Sequence, residues 1–299
     1  MHGPVGSTVG AVARVCVVGS VNLDQSFTVQ SLPRPGETVL ASSSAAAPGG
    51  KGGNQAVAAA RAGATVDIVA ALGNDPAADA LRAHLRDNGV GLDGVVTVPG
   101  PSGAAAIVVD AHAENCIIVA PGANAHLSMA SANARSVVSA ADVVLLQLEI
   151  PPETAVAAAR LGRDGGALVV VNASPAGTPP DALAALAGLA DVVVLNEVES
   201  HEWHWPVPHL VITRGADGAT HVGPDGRGEF AAPAVEAIDT TGAGDVFAGV
   251  LAAGWRSGPE FALRRACVAG ALATLTPGAG DCAPTSEAID DVLHERFEQ

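Results

Sequence analysis

The chain has 299 residues, 48% of them apolar and 15% charged, with a formal net charge of −16. That length suits one large α/β domain or two smaller ones with a substantial core. An excess of 31 Asp and Glu over 15 Lys and Arg argues against nucleic acid or an anionic membrane as partner. It leaves phosphate ligands open, because these need only local backbone N–H groups and one or two cations.

Met1 to Ala13 lacks a basic segment followed by an apolar one and reads as a short tail, not a signal peptide. No apolar run long enough to span a membrane is free of Gly, Pro and charge. Cys16, Cys116, Cys267 and Cys282 are scattered without a C-x-x-C pair, which suggests neither a disulfide framework nor a zinc ribbon. A cytoplasmic protein is expected.

Along the chain, Arg14 to Val18 is continuously apolar after its first residue and predicts a buried parallel strand. Gly19-Ser-Val-Asn-Leu-Asp24 follows at its carboxyl end, where open α/β sheets place ligands, and Asn22 and Asp24 project together from an extended segment. An Asx turn explains this pair equally well. Leu23 to Ser44 breaks the strand–helix rhythm and is expected to supply strands of a small lid. Pro48-Gly-Gly-Lys-Gly-Gly-Asn-Gln55 then opens a helix, read as Asn54 to Ala62. Its glycines, Gly50 among them, let a polyhydroxylated ligand approach the backbone, with Lys51 and Asn54 as donors. A flexible surface turn is the alternative.

The rhythm resumes with a strand at Val66 to Ala70 and a helix at Ala77 to Asn88. Ala104 to Val109 and Cys116 to Val119 flank residues 110–115 as a second lid hairpin. Strands are then predicted at Val143 to Leu148, Leu168 to Val171, Val192 to Leu195 and Leu210 to Thr213, with helices at Thr154 to Leu161 and Ala182 to Leu189. This order means a mostly parallel sheet with helices on both faces. His201, His204 and His209, interspersed with Trp203, Trp205 and two prolines, read as a surface loop and not as a metal cluster.

Asp239-Thr-Thr-Gly-Ala-Gly-Asp245 runs straight into an apolar helix, Val246 to Trp255, followed by helices at Pro259 to Leu275 and Thr285 to Phe297. Gly242, Ala243 and Gly244 leave the N–H groups of a helix N-terminus open to an anion. Asp245 beside them can accept a proton from an attacking hydroxyl; a helix-capping Asp is the alternative. Two other nucleotide signatures fail. Around Lys51 a Walker loop would need Gly at Ala45 and Ser or Thr at Gly52. The turn after the first strand lacks G-x-G-x-x-G.

Taken in order, Gly19-Ser-Val-Asn-x-Asp24, Pro-x-Pro-Gly-Glu-Thr38, Gly-Gly-Lys-Gly-x-Asn-Gln55, Gln-Leu-Glu149, Asn-Glu-x-Glu199 and Asp-Thr-x-Gly-Ala-Gly-Asp245 resemble the ribokinase branch of the ribokinase and adenosine kinase superfamily. The likeness runs from Val15 to Pro284. It implies a single kinase domain over residues 1–299, with lid strands from about 23–48 and 100–120, that phosphorylates D-ribose at its 5-hydroxyl with ATP. Asn22, Asp24, Gly50, Lys51, Asn54 and Glu149 then surround the sugar. Asp245 is the base, and Gly242, Ala243 and Gly244 are the anion hole. Asn196 matches a phosphate contact and Glu199 a Mg²⁺-linked carboxylate; on residue chemistry alone both also read as helix caps, and Glu149 as an end-of-strand carboxylate. Thr213, Gly215 and Gly218 belong to a nucleotide loop.

The resemblance further implies a K⁺ site at Asp239, Thr241, Ala273, Thr276, Gly278 and Cys282, the family commonly having serine at the last. It also implies a homodimer through the lid strands. One departure concerns the nucleotide side: only ten residues, Ser200 to His209, separate Glu199 from Leu210, where family members usually carry a longer segment with an additional helix. Rival functions are a kinase for another pentose or a nucleoside, and a non-catalytic sugar-binding regulator.

Overall fold

The computed structural model describes residues 12–112 and 114–297; most of the N-terminal tail lies outside them. The chain begins with β1 (Arg14–Val18), β2 (Asn22–Thr28), β3 (Ser43–Gly49) and α1 (Lys51–Arg61). Next come β4 (Thr65–Val69), β5 (Ala71–Leu72), α2 (Pro76–Asp87), β6 (Val90–Gly91), β7 (Val96–Thr97), β8 (Ala104–Val109) and β9 (Asn115–Ala120). The central run is α3 (Ala132–Ala140), β10 (Val143–Leu146), α4 (Pro152–Asp164), β11 (Leu168–Asn172), α5 (Pro180–Ala187), β12 (Val192–Asn196) and α6 (Glu197–Ser200). The last elements are β13 (His209–Thr213), β14 (Ala219–Gly223), β15 (Gly226–Phe230), α7 (Ala243–Gly254), α8 (Pro259–Ala273) and α9 (Ser286–Phe297).

Nine strands form the main sheet in the order β15-β14-β13-β12-β11-β10-β1-β4-β6. It is parallel from β13 to β6, and β14 and β15 add an antiparallel edge. Its central strands β1, β10, β11 and β12 are almost wholly apolar because both faces are covered. Val15, Val17, Val143 and Leu145 face the core under α1, α7 and α8. Cys16, Val18, Val144 and Leu146 face the one under α3 and α4. The sequence reading missed the β14–β15 hairpin, whose Gly-rich, half-exposed strands carry no apolar run, and α3, whose polar residues dilute the helical pattern.

Four strands form a second sheet, β3-β2-β8-β9, at the positions read as a lid. Within it β2 pairs antiparallel with β3, in a register that sets Asn22 opposite Gly49 and Asp24 opposite Ala47. The two glycine-bearing segments are thereby pressed against each other at the carboxyl end of β1.

Two boundaries differ from the sequence reading in ways that shape this region. The helix expected from Asn54 begins at Lys51, so Gly52 and Gly53 belong to its first turn and are not a flexible loop. A Cβ on Gly52 would stand 2.7 Å from the Ser20 backbone, and this close approach is what requires glycine. The strand expected to reach Leu148 stops at Leu146, which frees Gln147 to Glu149 to leave the sheet toward α1. The histidine segment is a loop over residues 201–208, as read, with His201 and His204 exposed. Trp203 is buried, its Nε1 donating to Trp205 O at 2.8 Å, and His209 opens β13, where its Nδ1 lies 3.0 Å from His221 Nε2.

Helices α1 and α7 cross in close contact. A Cβ on Gly249 of α7 would stand 2.4 Å from Gln55 O and 2.8 Å from Ala58 Cβ on α1. Gly249→Val is expected to cost about 1–3 kcal/mol, as over-packing usually does. A lowered urea midpoint with an unchanged m-value checks this.

Candidate active site

The residues read as a sugar pocket converge. Gly50 caps α1 with φ 83°, a left-handed conformation that side chains avoid, and a Cβ there would meet Asn22 N at 2.8 Å. A Cβ on neighbouring Gly49 would stand 2.0 Å from Asp24 Oδ2. Asn22 is buried, and its Oδ1 accepts from Asn124 Nδ2 at 2.7 Å, which leaves the Asn22 amide as a donor. Glu149 Oε2 accepts from Ser20 Oγ at 2.5 Å and from Lys51 N at 3.2 Å. Asp24 Oδ1 is buried with no hydrogen-bond partner in the protein. A native protein satisfies nearly all such acceptors, and a ligand hydroxyl would satisfy this one.

Charge is unbalanced in this pocket. Burial pushes the Asp24 carboxyl up to about 6, and Glu149 and then Asp245 add to the rise against the opposing Ala105 N–H. Burial alone would lower the Lys51 ammonium, but Asp245, Glu149 and Glu199 together hold it above its ordinary value. One cation therefore serves three carboxylates.

Asp245 lies in the first turn of α7 and is 8% exposed. Its Oδ2 accepts from Asn54 Nδ2 and its Oδ1 from Gln55 Nε2, both at 3.0 Å. Asn54, read as a sugar contact, is thus tied to Asp245, read as the base. Before Asp245 the chain turns at Gly242 with φ 80°, and a Cβ there would stand 2.8 Å from Ala279 Cα. The Ala243 N–H bonds back to Thr240 O at 3.3 Å, so Gly242 and Gly244 carry the open donors of this helix start. A cleft of about 140 Å³ brings Asp245, Gly242 and Gly244 together with Lys51, Asn196, Glu199 and Thr213.

Beyond it, a larger cleft of about 620 Å³ is bordered by Asn196, Thr213, Gly215, Gly218, Gly244, Ala234 and Phe247, among others. The shortened segment after Glu199 has not abolished it, because β13 still pairs in parallel with β12 and sets Thr213 opposite Asn196. Gly215 and Gly218 have φ of 55° and 88°, and a Cβ on Gly218 would stand 2.0 Å from Phe230 O. Asn196 and Glu199 form a reciprocal capping box on α6, with bonds of 2.8 and 2.9 Å. The capping alternative is therefore real, and it still leaves the Asn196 amide as a donor at the edge of both clefts.

The six residues of the implied cation site lie on two loops and the end of α8. Asp239 Oδ1 accepts from Thr241 N at 2.9 Å and Oδ2 from Gly278 N at 2.8 Å. These bonds overcome burial and hold its carboxyl below the usual range. Thr276 N donates to Ala273 O at 3.2 Å, and Cys282 Sγ lies 3.8 Å from Thr241 O. Burial, with Asp245 next, pushes the Cys282 thiol up to about 11. Among the described residues no group of three or more His, Cys, Asp and Glu could hold a metal ion by itself.

The model of the pfkB family carbohydrate kinases matches residues 12–286. The chain belongs to this kinase family. It is 34% identical to the ribokinase of Bacillus subtilis over 93% of this chain and 99% of that one. The crystal structure of ribokinase from Thermotoga maritima superimposes with a TM-score of 0.85 at 31% identity, covering 94% of this chain and 99% of the other. The structure of Arabidopsis thaliana ribokinase complexed with ribose and ATP superimposes with a TM-score of 0.86 at 28% identity over 94% and 99%. The ribokinase-like α/β fold read from the sequence is the fold found.

Four polar residues of this kinase site were given no role by the sequence reading: Ser20, Gln55, Gln147 and Asn172. Gln55 and Gln147 stand inside the motifs quoted for the family, but buried amides show no charge or spacing signal of their own. Asn172 ends β11 and Ser20 follows β1, positions at which a ligand or a partner amide is expected.

Asp24 generates a stability prediction. A carboxyl whose folded value is raised to about 6 favours folding fully only below its unfolded value, and that contribution is lost as pH rises through about 6. Asp24→Asn is therefore expected to melt higher than the parent at about pH 8, with the gap closing as pH falls toward about 4. Thermal melts of both proteins across that range check it.

Proposed function

We propose that this chain transfers the γ-phosphoryl group of ATP to the 5-hydroxyl of D-ribose, giving D-ribose 5-phosphate and ADP. The observation that carries the proposal is the position of Asp245. Its carboxylate lies at the start of α7, in a small cleft that joins the sugar-side Lys51 to the nucleotide-side Asn196 and Thr213. The ribokinase relatives support the same substrate pair.

Asn22, Asp24, Gly50, Lys51, Asn54 and Glu149 hold the sugar in this reading. The orphan acceptor on Asp24 and the free amide of Asn22 match hydroxyls that can both donate and accept. ATP occupies the larger cleft, whose volume of about 620 Å³ is in the usual range for such ligands. Asp245 takes the proton of the attacking hydroxyl. The γ-phosphorus–oxygen bond to ADP breaks as the bond to the sugar oxygen forms, and the open donors of Gly242 and Gly244, with Lys51, stabilise the charge on the transferring oxygens. Asn196 holds a phosphate oxygen.

Glu199 offers a hard, largely buried carboxylate at that cleft, which fits Mg²⁺ held through water. Bound there, Mg²⁺ supplies neutralisation of phosphate charge. Closure of the small sheet excludes water, which would otherwise compete as acceptor. Ile117, Ile118 and Val119 are 51%, 67% and 48% exposed on its edge strand β9, and a homodimer through these strands covers both them and the open edge. A single kinase domain in the cytoplasm completes the reading.

ADP release measured with a panel of pentoses, hexoses and nucleosides tests the substrate; D-ribose is expected to give the highest kcat/KM, and a better nucleoside or hexose would overturn it. Asp245→Asn is expected to lower kcat by roughly 10² to 10⁴, the worth of a positioned general base, with ribose binding changed far less. Near-normal turnover would remove Asp245 from the mechanism and leave its carboxylate as an acceptor for Asn54 and Gln55.

Asp239, Thr241, Ala273, Thr276, Gly278 and Cys282 fit a monovalent cation, K⁺, better than Mg²⁺, because one carboxylate with several carbonyls is a low-charge oxygen site. Such an ion braces the loop that ends at Gly242. Replacing K⁺ by a bulky organic cation at constant ionic strength is expected to lower the rate. Cys282→Ser should reach half-activation at lower K⁺, since a hydroxyl is the better ligand; equal rates in both salts would refute the site.

A further inference from the structure

A chain of buried carboxamides continues behind Asp245, beyond the residues assigned to sugar or nucleotide. Gln147, the first residue after β10, is fully buried. Its Nε2 donates to Gln55 Oε1 at 2.7 Å. Gln55 Nε2 donates in turn to Asp245 Oδ1 at 3.0 Å and to Asn172 Oδ1 at 2.9 Å. Asn172 Nδ2 closes the chain on Val194 O at 3.2 Å.

Each amide in this chain has only one workable polarity. An ionised Asp245 can only accept, so Gln55 must turn its Nε2 toward it. Asn172 spends its donor on a backbone carbonyl and offers Gln55 an oxygen. Gln55 Oε1 then faces Gln147, which must present a donor. Turned over, the Gln55 amide would set its oxygen against the carboxylate oxygen of Asp245.

Gln147 is a poor choice for packing alone. Its own Oε1 is buried with no hydrogen-bond partner, pressed against Gly19 so closely that a Cβ there would stand 1.7 Å away. Methionine has nearly the same shape and would remove that orphan, although it would in turn leave the buried Gln55 Oε1 without its donor. What the amide supplies, at the cost of one orphaned acceptor, is a fixed polarity for Gln55.

We propose that Gln147 is a positioning residue for phosphoryl transfer: by donating to Gln55 it fixes the orientation of the Gln55 amide, which holds the Asp245 carboxylate in the plane that receives the acceptor proton. It acts on the reacting atoms through Gln55. The proposal rests on the reading of Asp245 as the base.

Gln147→Met, Gln55→Met, the double variant and Asp245→Asn are compared in the full chain, with kcat from ADP release, D-ribose affinity from calorimetry, and thermal melts. Gln147→Met is expected to melt close to the parent, because it exchanges one orphaned acceptor, Gln147 Oε1, for another, Gln55 Oε1, while its kcat falls roughly 10- to 100-fold, as small misplacements of reacting groups do. Its ribose Kd should stay within about threefold, because the interaction belongs to the transition state. The double variant should be no slower than Gln55→Met alone, since both act through one bond. A kcat for Gln147→Met within about threefold of the parent, additive losses in the double variant, or parallel losses of kcat, affinity and melting temperature would overturn the proposal. Should Gln147→Met fail to fold, the smaller Gln147→Leu is read by the same criteria. Near-normal turnover of Asp245→Asn removes the base reading itself, whereas its loss beside an unaffected Gln147→Met removes only the relay.

Discussion

The contact between α1 and α7 is the constraint on which the rest depends. Helix α1 carries Lys51, Asn54 and Gln55, and α7 carries Asp245, so the distance between the two helices sets the distance from Lys51 and Asn54 to the Asp245 carboxylate. Gly249 lets them approach until the main chain of Gln55 is in contact, and the amides of Asn54 and Gln55 then reach both oxygens of Asp245. A carboxylate bonded at both oxygens to a rigid neighbouring helix has little rotational freedom to lose in the transition state.

A second consequence is electrostatic. Glu149, Glu199 and Asp245 act on one lysine and hold its ammonium above its ordinary value, and the cost of the crowding appears at Asp24, whose buried carboxyl is raised. Stability is given up at this site for a pocket whose acceptors are already aimed at hydroxyls. The net charge of −16 is not in conflict with phosphate binding, because an anion in the proposed site would meet backbone N–H groups at the start of α7 and a lysine, not the mean field of the surface.

The lid sheet illustrates how register makes a site. Pairing Asn22 with Gly49 brings two short motifs, separated by a long loop, to one corner. A slip of one residue would turn Asp24 to the other face. Glycines at 49, 50 and 52 permit that approach, each excluding a Cβ that would strike the facing segment.

By itself the sequence determined the order of the main parallel strands and most of the helices between them, because continuous apolar runs and glycine-opened helices are local signals. It also determined the kinase family, through motifs whose residue types survive without coordinates. It pointed to Asp245, Lys51 and Asp24, charged groups whose chemistry can be read one residue at a time. The start of α1 at Lys51, the antiparallel edge, the capping box shared by Asn196 and Glu199, and the amide chain from Gln147 to Asp245 were decided only by tertiary structure. A buried amide has no charge and no periodicity, and its role depends on which neighbour donates and which accepts. That is fixed only when residues 55, 147, 172 and 245, distant in sequence, share one dry interior.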